Sequence, residues 1–65
     1  MKANYPKTIL GIVEYSYNTG DIKKADWYID QLFESFTNWP EDFTEEDSER
    51  MFLWIEKIAN KLYKR

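Results

Sequence analysis

Apolar residues recur at steps of three and four along most of the chain, and two turn signals divide the pattern into three segments. Residues 22–37 carry the clearest stripe, Ile22, Ala25, Ile29, Leu32 and Phe36, with Tyr28 and Phe33 on its flanks. Such spacing lines side chains up along one face of an α-helix. Residues 6–18 place Ile9, Ile12, Val13 and Ser16 in the same way, with Leu10 and Tyr17 beside them and Pro6 where a first helical turn accepts it. A strand competes for this segment, because Thr8, Ile9, Ile12, Val13, Tyr15 and Tyr17 favour sheets and Gly11 weakens a helix interior by about 1 kcal/mol. A lone strand has no partner elsewhere in the chain, so a helix is the expectation. Residues 44–64 set Met51, Ile55, Ile58 and Leu62 on one stripe, with Phe52, Ala59 and Tyr63 to one side and Trp54 to the other.

The punctuation agrees with the stripes. Gly20 can adopt the left-handed conformation that closes a helix, and Asp21 can accept from the free amides that open the next one. Pro40 disfavours helical geometry at Trp39 and cannot donate to the ladder, which leaves 41–43 as a short connection. Thr44 with Asp47 then reads as a capping box in which Asp replaces the usual Glu. Glu45 and Glu46 suit the positive end of the helix dipole, and Lys57, Lys61, Lys64 and Arg65 suit its negative end. Short loops favour antiparallel neighbours. The expectation is an all-α fold, a small three-helix bundle with helices at about 6–18, 22–37 and 44–64, forming a single helical domain over residues 1–65.

Composition sharpens this picture. A chain of 65 residues buries a modest share of its surface, and without cysteines it has neither disulfides nor thiolate metal sites as staples. Four Phe, five Tyr and three Trp compensate, since a large ring buries on the order of 150–250 Å². Self-association into a homodimer is a second way to make up the shortfall. Residues 1–7 lack a basic segment leading into an apolar run, and the longest apolar stretch, 51–55, is far below the roughly 20 residues of a membrane span. A cytoplasmic protein with no membrane partner is expected.

Catalytic chemistry has little to work with. There is no His and no Cys, which removes the commonest general base, the commonest metal ligand and the most nucleophilic side chain. The two glycines, Gly11 and Gly20, cannot make a phosphate-cradling loop. Six acids crowd residues 41–49, but they are bunched and lack the central Gly of a calcium loop, so they are read as capping and solvating the third helix. No enzyme activity, no cofactor and no metal are expected.

Net charge of −3 argues against a phosphate-backbone partner. The Gly20 turn could belong to a helix-turn-helix, yet its second helix would present Asp26, Asp30 and Glu34 to a polyanion, with only Lys23 and Lys24 to offset them. Those three acids stand at i, i+4 and i+8, roughly 6 Å apart, which makes one ridge of negative charge. Beside the ridge, Trp27 lies opposite the Ile29 stripe, among Lys23, Asp30, Gln31 and Glu34. An exposed Trp in a polar rim is the profile of an interface anchor. Leu53 repeats the arrangement on the third helix, beside Glu49, Glu56, Lys57 and Asn60, and Tyr15 stands at the edge of the first. The competing explanation is that three small helices each bury more than one face.

No motif ties the chain to a named family. In general character, tiny, acidic, cysteine-free and rich in aromatics, it is similar to small regulatory inhibitors and accessory proteins of bacteria and their phages. The expected function is therefore binding of another protein, as inhibitor or adaptor, with Trp27, Asp26, Asp30, Glu34, Lys23 and Leu53 as the contact residues. The rival expectations are an acidic decoy that mimics DNA for a DNA-binding protein and a structural subunit that associates with itself.

Overall fold

Three helices form in a computed structural model that describes residues 5–63: α1 (Tyr5–Asn18), α2 (Ile22–Asn38) and α3 (Glu45–Tyr63), with a 3-10 turn at Pro40–Asp42 before the last. The chain is an all-α three-helix bundle, and the first segment is helical despite its β-forming residues. Lys64 and Arg65, expected to complement the C-terminal end of α3, lie outside the described residues.

Local chemistry accounts for each boundary. Gly20 has φ of 94°, the left-handed conformation that only glycine adopts without strain. Its amide donates to the Tyr17 carbonyl (3.1 Å) and that of Asp21 to the Ser16 carbonyl (2.9 Å), the paired bonds of a Schellman close. Asp21 then caps α2, its Oδ1 accepting from the Lys24 amide at 3.3 Å. At the other end the Trp39 amide donates to the Ser35 carbonyl (2.7 Å), and Pro40 converts the following residues into the 3-10 turn.

The α3 cap departs from expectation. Thr44 Oγ1 does accept from the Asp47 amide at 3.0 Å. The Asp47 carboxylate does not return the favour, since it is 1% exposed and accepts from Lys7 Nζ of α1 at 3.2 Å. Half of the capping box forms, and the other half is exchanged for an ion pair that joins the start of α1 to the start of α3.

The core draws on each helix in turn: Ile9, Leu10 and Val13; Ala25, Ile29 and Leu32; Met51, Trp54 and Ile58. In α2 the buried residues belong to the expected stripe. In α3 the stripe is rotated toward Trp54, which is 8% exposed, while Ile55 and Leu62 are only partly buried. The cause is α1, whose Tyr17 ring meets the Trp54 indole edge-on at 5.1 Å. Ser16 is buried in α1 and its hydroxyl finds no hydrogen-bond partner among the described residues.

Gly11 is exposed on α1, and a Cβ built there meets nothing within 4 Å. Gly11→Ala is therefore expected to stabilise the protein by about 0.5–1 kcal/mol, because only the backbone entropy of glycine is removed. A thermal melt followed by circular dichroism checks this: the midpoint rises by several degrees, and an unchanged or lowered midpoint contradicts it. Among the described residues no helix is long and apolar enough to cross a membrane.

Candidate functional site

The rotation of α3 leaves one side of the bundle incompletely covered. There an open groove of about 400 Å³ runs between α2 and α3. From α2 it is lined by Asp26, Ile29, Asp30 and Phe33, and from α3 by Phe52, Ile55, Ala59 and Tyr63. Each set follows one helix edge at steps of three and four, so the groove is a property of two facing helix flanks rather than of a loop.

Its floor is partly core, since Ile29 is buried and Ile55 half-buried. Its mouth at one end is aromatic. Phe33 and Phe52 meet edge-on at 6.2 Å, and both pack on Phe36, which in turn meets Phe43 at 5.2 Å. All four phenylalanines of the chain thus form one cluster. Yet Phe33 remains 43% and Phe52 48% exposed, a large apolar area for so small a protein to leave in water.

Charge is distributed unevenly around this groove. Asp26 and Asp30 form its α2 edge, and Glu34 continues the ridge one turn later. On α3, Glu49 and Glu56 stand three residues before and four after Phe52, on the same flank. No Lys or Arg lines the groove among the described residues. The cations of α1 and α3 are turned the other way: Lys7 pairs with Asp47, and Arg50 reaches Glu14 at 3.9 Å. Lys57 lies over the Trp54 ring at 4.7 Å and Lys61 over that of Tyr17 at 6.0 Å.

The residues singled out from the sequence divide into two groups. Asp26 and Asp30 are in the groove, with Glu34 beside it and Lys23 one turn before Asp26 on the ridge. Trp27 is 57% exposed, so its ring does look away from the core, but it stands outside the groove. The indole sits edge-on against Tyr28 at 5.0 Å, on the outer face of α2 opposite the Ile29 stripe. Leu53 is 51% exposed on the outer side of α3 and is likewise not part of the groove.

Sequence reasoning passed over Phe33, Phe52, Ala59 and Tyr63 as site residues. The available signal was the width of the apolar arcs: both α2 and α3 carry apolar residues on a flank beyond the core stripe, and both flanks are on the side where one helix follows the other. For chemistry, the groove offers the carboxylates of Asp26 and Asp30 and the phenol of Tyr63. Despite the acids at 41–49, among the described residues no group of three or more His, Cys, Asp or Glu is placed to hold a metal ion. Compared with known proteins, the chain matches no family model, and no curated protein or solved structure is significantly similar to it.

Proposed function

We propose that this protein acts by binding another protein through its α2–α3 face, as a small regulatory or accessory module such as an inhibitor or adaptor, with no catalytic step of its own. The observation that carries this is the pair Phe33 and Phe52, in contact with each other at 6.2 Å yet each close to half exposed, at the mouth of an apolar groove edged by acids. Aromatic anchors within a polar rim supply most of the affinity in protein interfaces, and acidic edges supply selectivity for basic partners. Trp27 extends the same surface around the back of α2 and is a secondary contact.

The test uses the immobilised chain in a lysate of its native host. Wild type is expected to retain a specific protein, and Asp30→Lys to reduce that retention at least tenfold while moving the melting midpoint by no more than a few degrees, because Asp30 is exposed and its side chain makes no hydrogen bond or ion pair among the described residues. Retention of nothing specific, or of a protein held equally by Asp30→Lys, overturns the proposal.

A second reading has its own support: Asp26, Asp30 and Glu34 on one ridge suit a decoy for a DNA-binding protein. Salt separates the two. Attraction led by charge falls steeply between about 50 and 200 mM salt, whereas anchoring by Phe33 and Phe52 tolerates that change.

A further inference from the structure

We infer that the occupant of the α2–α3 groove is a basic amphipathic α-helix of the partner, about three turns long, lying along the groove with apolar side chains between Phe33 and Phe52 at one end and Ala59 and Tyr63 at the other. The inference rests on the protein-binding function proposed above and specifies the chemistry of what is bound.

Groove length sets the size of the occupant. From Phe52 to Tyr63 the α3 wall advances by about 16 Å at 1.5 Å per residue, which a helix with apolar positions at i, i+4, i+7 and i+11 matches. Backbone chemistry decides its conformation. Both walls are helices whose own amides and carbonyls are engaged, and there is no strand among the described residues to extend. An extended peptide laid against Ile29, Ile55 and Ala59 would bury donors and acceptors with nothing to meet them, whereas a helix satisfies its own.

Charge decides the sign of the flanks. Asp26 and Asp30 line the α2 wall beside the apolar floor, so the matching helix carries Lys or Arg along the side of its apolar stripe that meets α2. Asp26 and Asp30 are one turn apart, and cations spaced by four on the occupant repeat that interval. The same acids argue against a second copy of this chain. Two-fold pairing of grooves with α2 against α2 would set Asp26 and Asp30 against the same acids of the copy, an isologous contact between like charges. Nor does the outer face of α3 match: the residues following Leu53 at i+3, i+4 and i+7 are Glu56, Lys57 and Asn60, none of them apolar.

Three fluorescent peptides of about 18 residues, long enough to cover three turns at 1.5 Å per residue, test this against the full chain. One has Leu at i, i+4, i+7 and i+11 with flanking Lys; the second keeps the Leu positions and replaces Lys by Glu; the third has the composition of the first with its Leu dispersed. Fluorescence anisotropy is expected to show the Leu/Lys peptide bound at least tenfold more tightly than either control, with helical circular dichroism gained on mixing. Asp26→Lys/Asp30→Lys is expected to reverse the order of the Lys and Glu peptides, and the single exposed Asp30→Lys to narrow their difference should the double variant not fold. Equal binding of the dispersed peptide, which indicates charge attraction alone, overturns the inference. So does unchanged discrimination in the Asp30→Lys chain, or a chain that sediments as a dimer whose groove the peptides cannot enter. A native partner that depends on Asp30 together with no discrimination among the peptides removes the helical occupant and leaves protein binding in place; the opposite pair of results removes the native partner alone.

Discussion

Leu32→Ala is expected to leave most of the protein unfolded at 37 °C. Leu32 is fully buried where the three helices meet, and truncating a buried leucine costs about 2–5 kcal/mol, the transfer term plus the cavity left behind. A domain of this length without disulfide or metal rarely holds more than about 3–5 kcal/mol in total. One such loss therefore consumes most of the margin. Leu53→Ala is the internal control: the same atoms are removed from a side chain half in water, and the cost is within about 1 kcal/mol. Urea titrations followed at 222 nm resolve the pair. A mild effect of Leu32→Ala, or an equal effect of both, would mean that the core is not where α1, α2 and α3 converge.

Lys7→Met is expected to destabilise the protein by about 1–3 kcal/mol, and Lys7→Met/Asp47→Leu to recover most of that loss. The Asp47 carboxylate is 1% exposed and has Lys7 Nζ at 3.2 Å, while the lysine itself is 54% exposed. Removing the lysine leaves a buried charge without its counterion, the costly way to break such a pair. Water that reaches the Lys7 side keeps the cost below the 3–5 kcal/mol typical of a fully buried pair. Removing both partners replaces the pair by apolar contact, which is close to neutral in comparable sites. The lost dipole contribution of an acid in the first turn of α3 keeps recovery from being complete. A thermodynamic cycle over the two single variants and the double one measures the coupling. Additive losses would show that Lys7 and Asp47 do not act on each other in solution.

How far the sequence carried depends on the range of the interaction concerned. Asp21 and Gly20 were legible because a cap and a left-handed close involve neighbours within a few residues. The α2 stripe was legible because Ala25, Ile29 and Leu32 are flanked on both sides by other helices, so its centre faces inward however they are arranged. The α3 stripe was legible only in part. Met51 and Ile58 lie inward in either rotation, but whether Trp54 or Ile55 joins them depends on the side α1 occupies, and no local pattern encodes that. Asp47 shows the same limit: as a first-turn acid it reads as half of a cap, and its burial depends on a lysine forty positions earlier in the chain.

The candidate site divides along the same line. Asp26, Asp30 and Glu34 could be placed on one ridge from their spacing alone, and Trp27 could be placed outward. That Phe33 would meet Phe52 at the mouth of a groove, with Asp26 and Asp30 as its edge and Trp27 outside it, follows only from how α2 lies against α3.

Lys57 and Lys61 lie over the rings of Trp54 and Tyr17, outside the groove, while Asp26 and Asp30 line it, so among the described residues charges of opposite sign are held apart. In dilute salt a positively charged body drifting nearby experiences a torque as well as a pull, and the groove is turned toward it before any surfaces touch. Encounter rates should then vary with ionic strength more strongly than a net charge of −3 spread evenly over a sphere would produce.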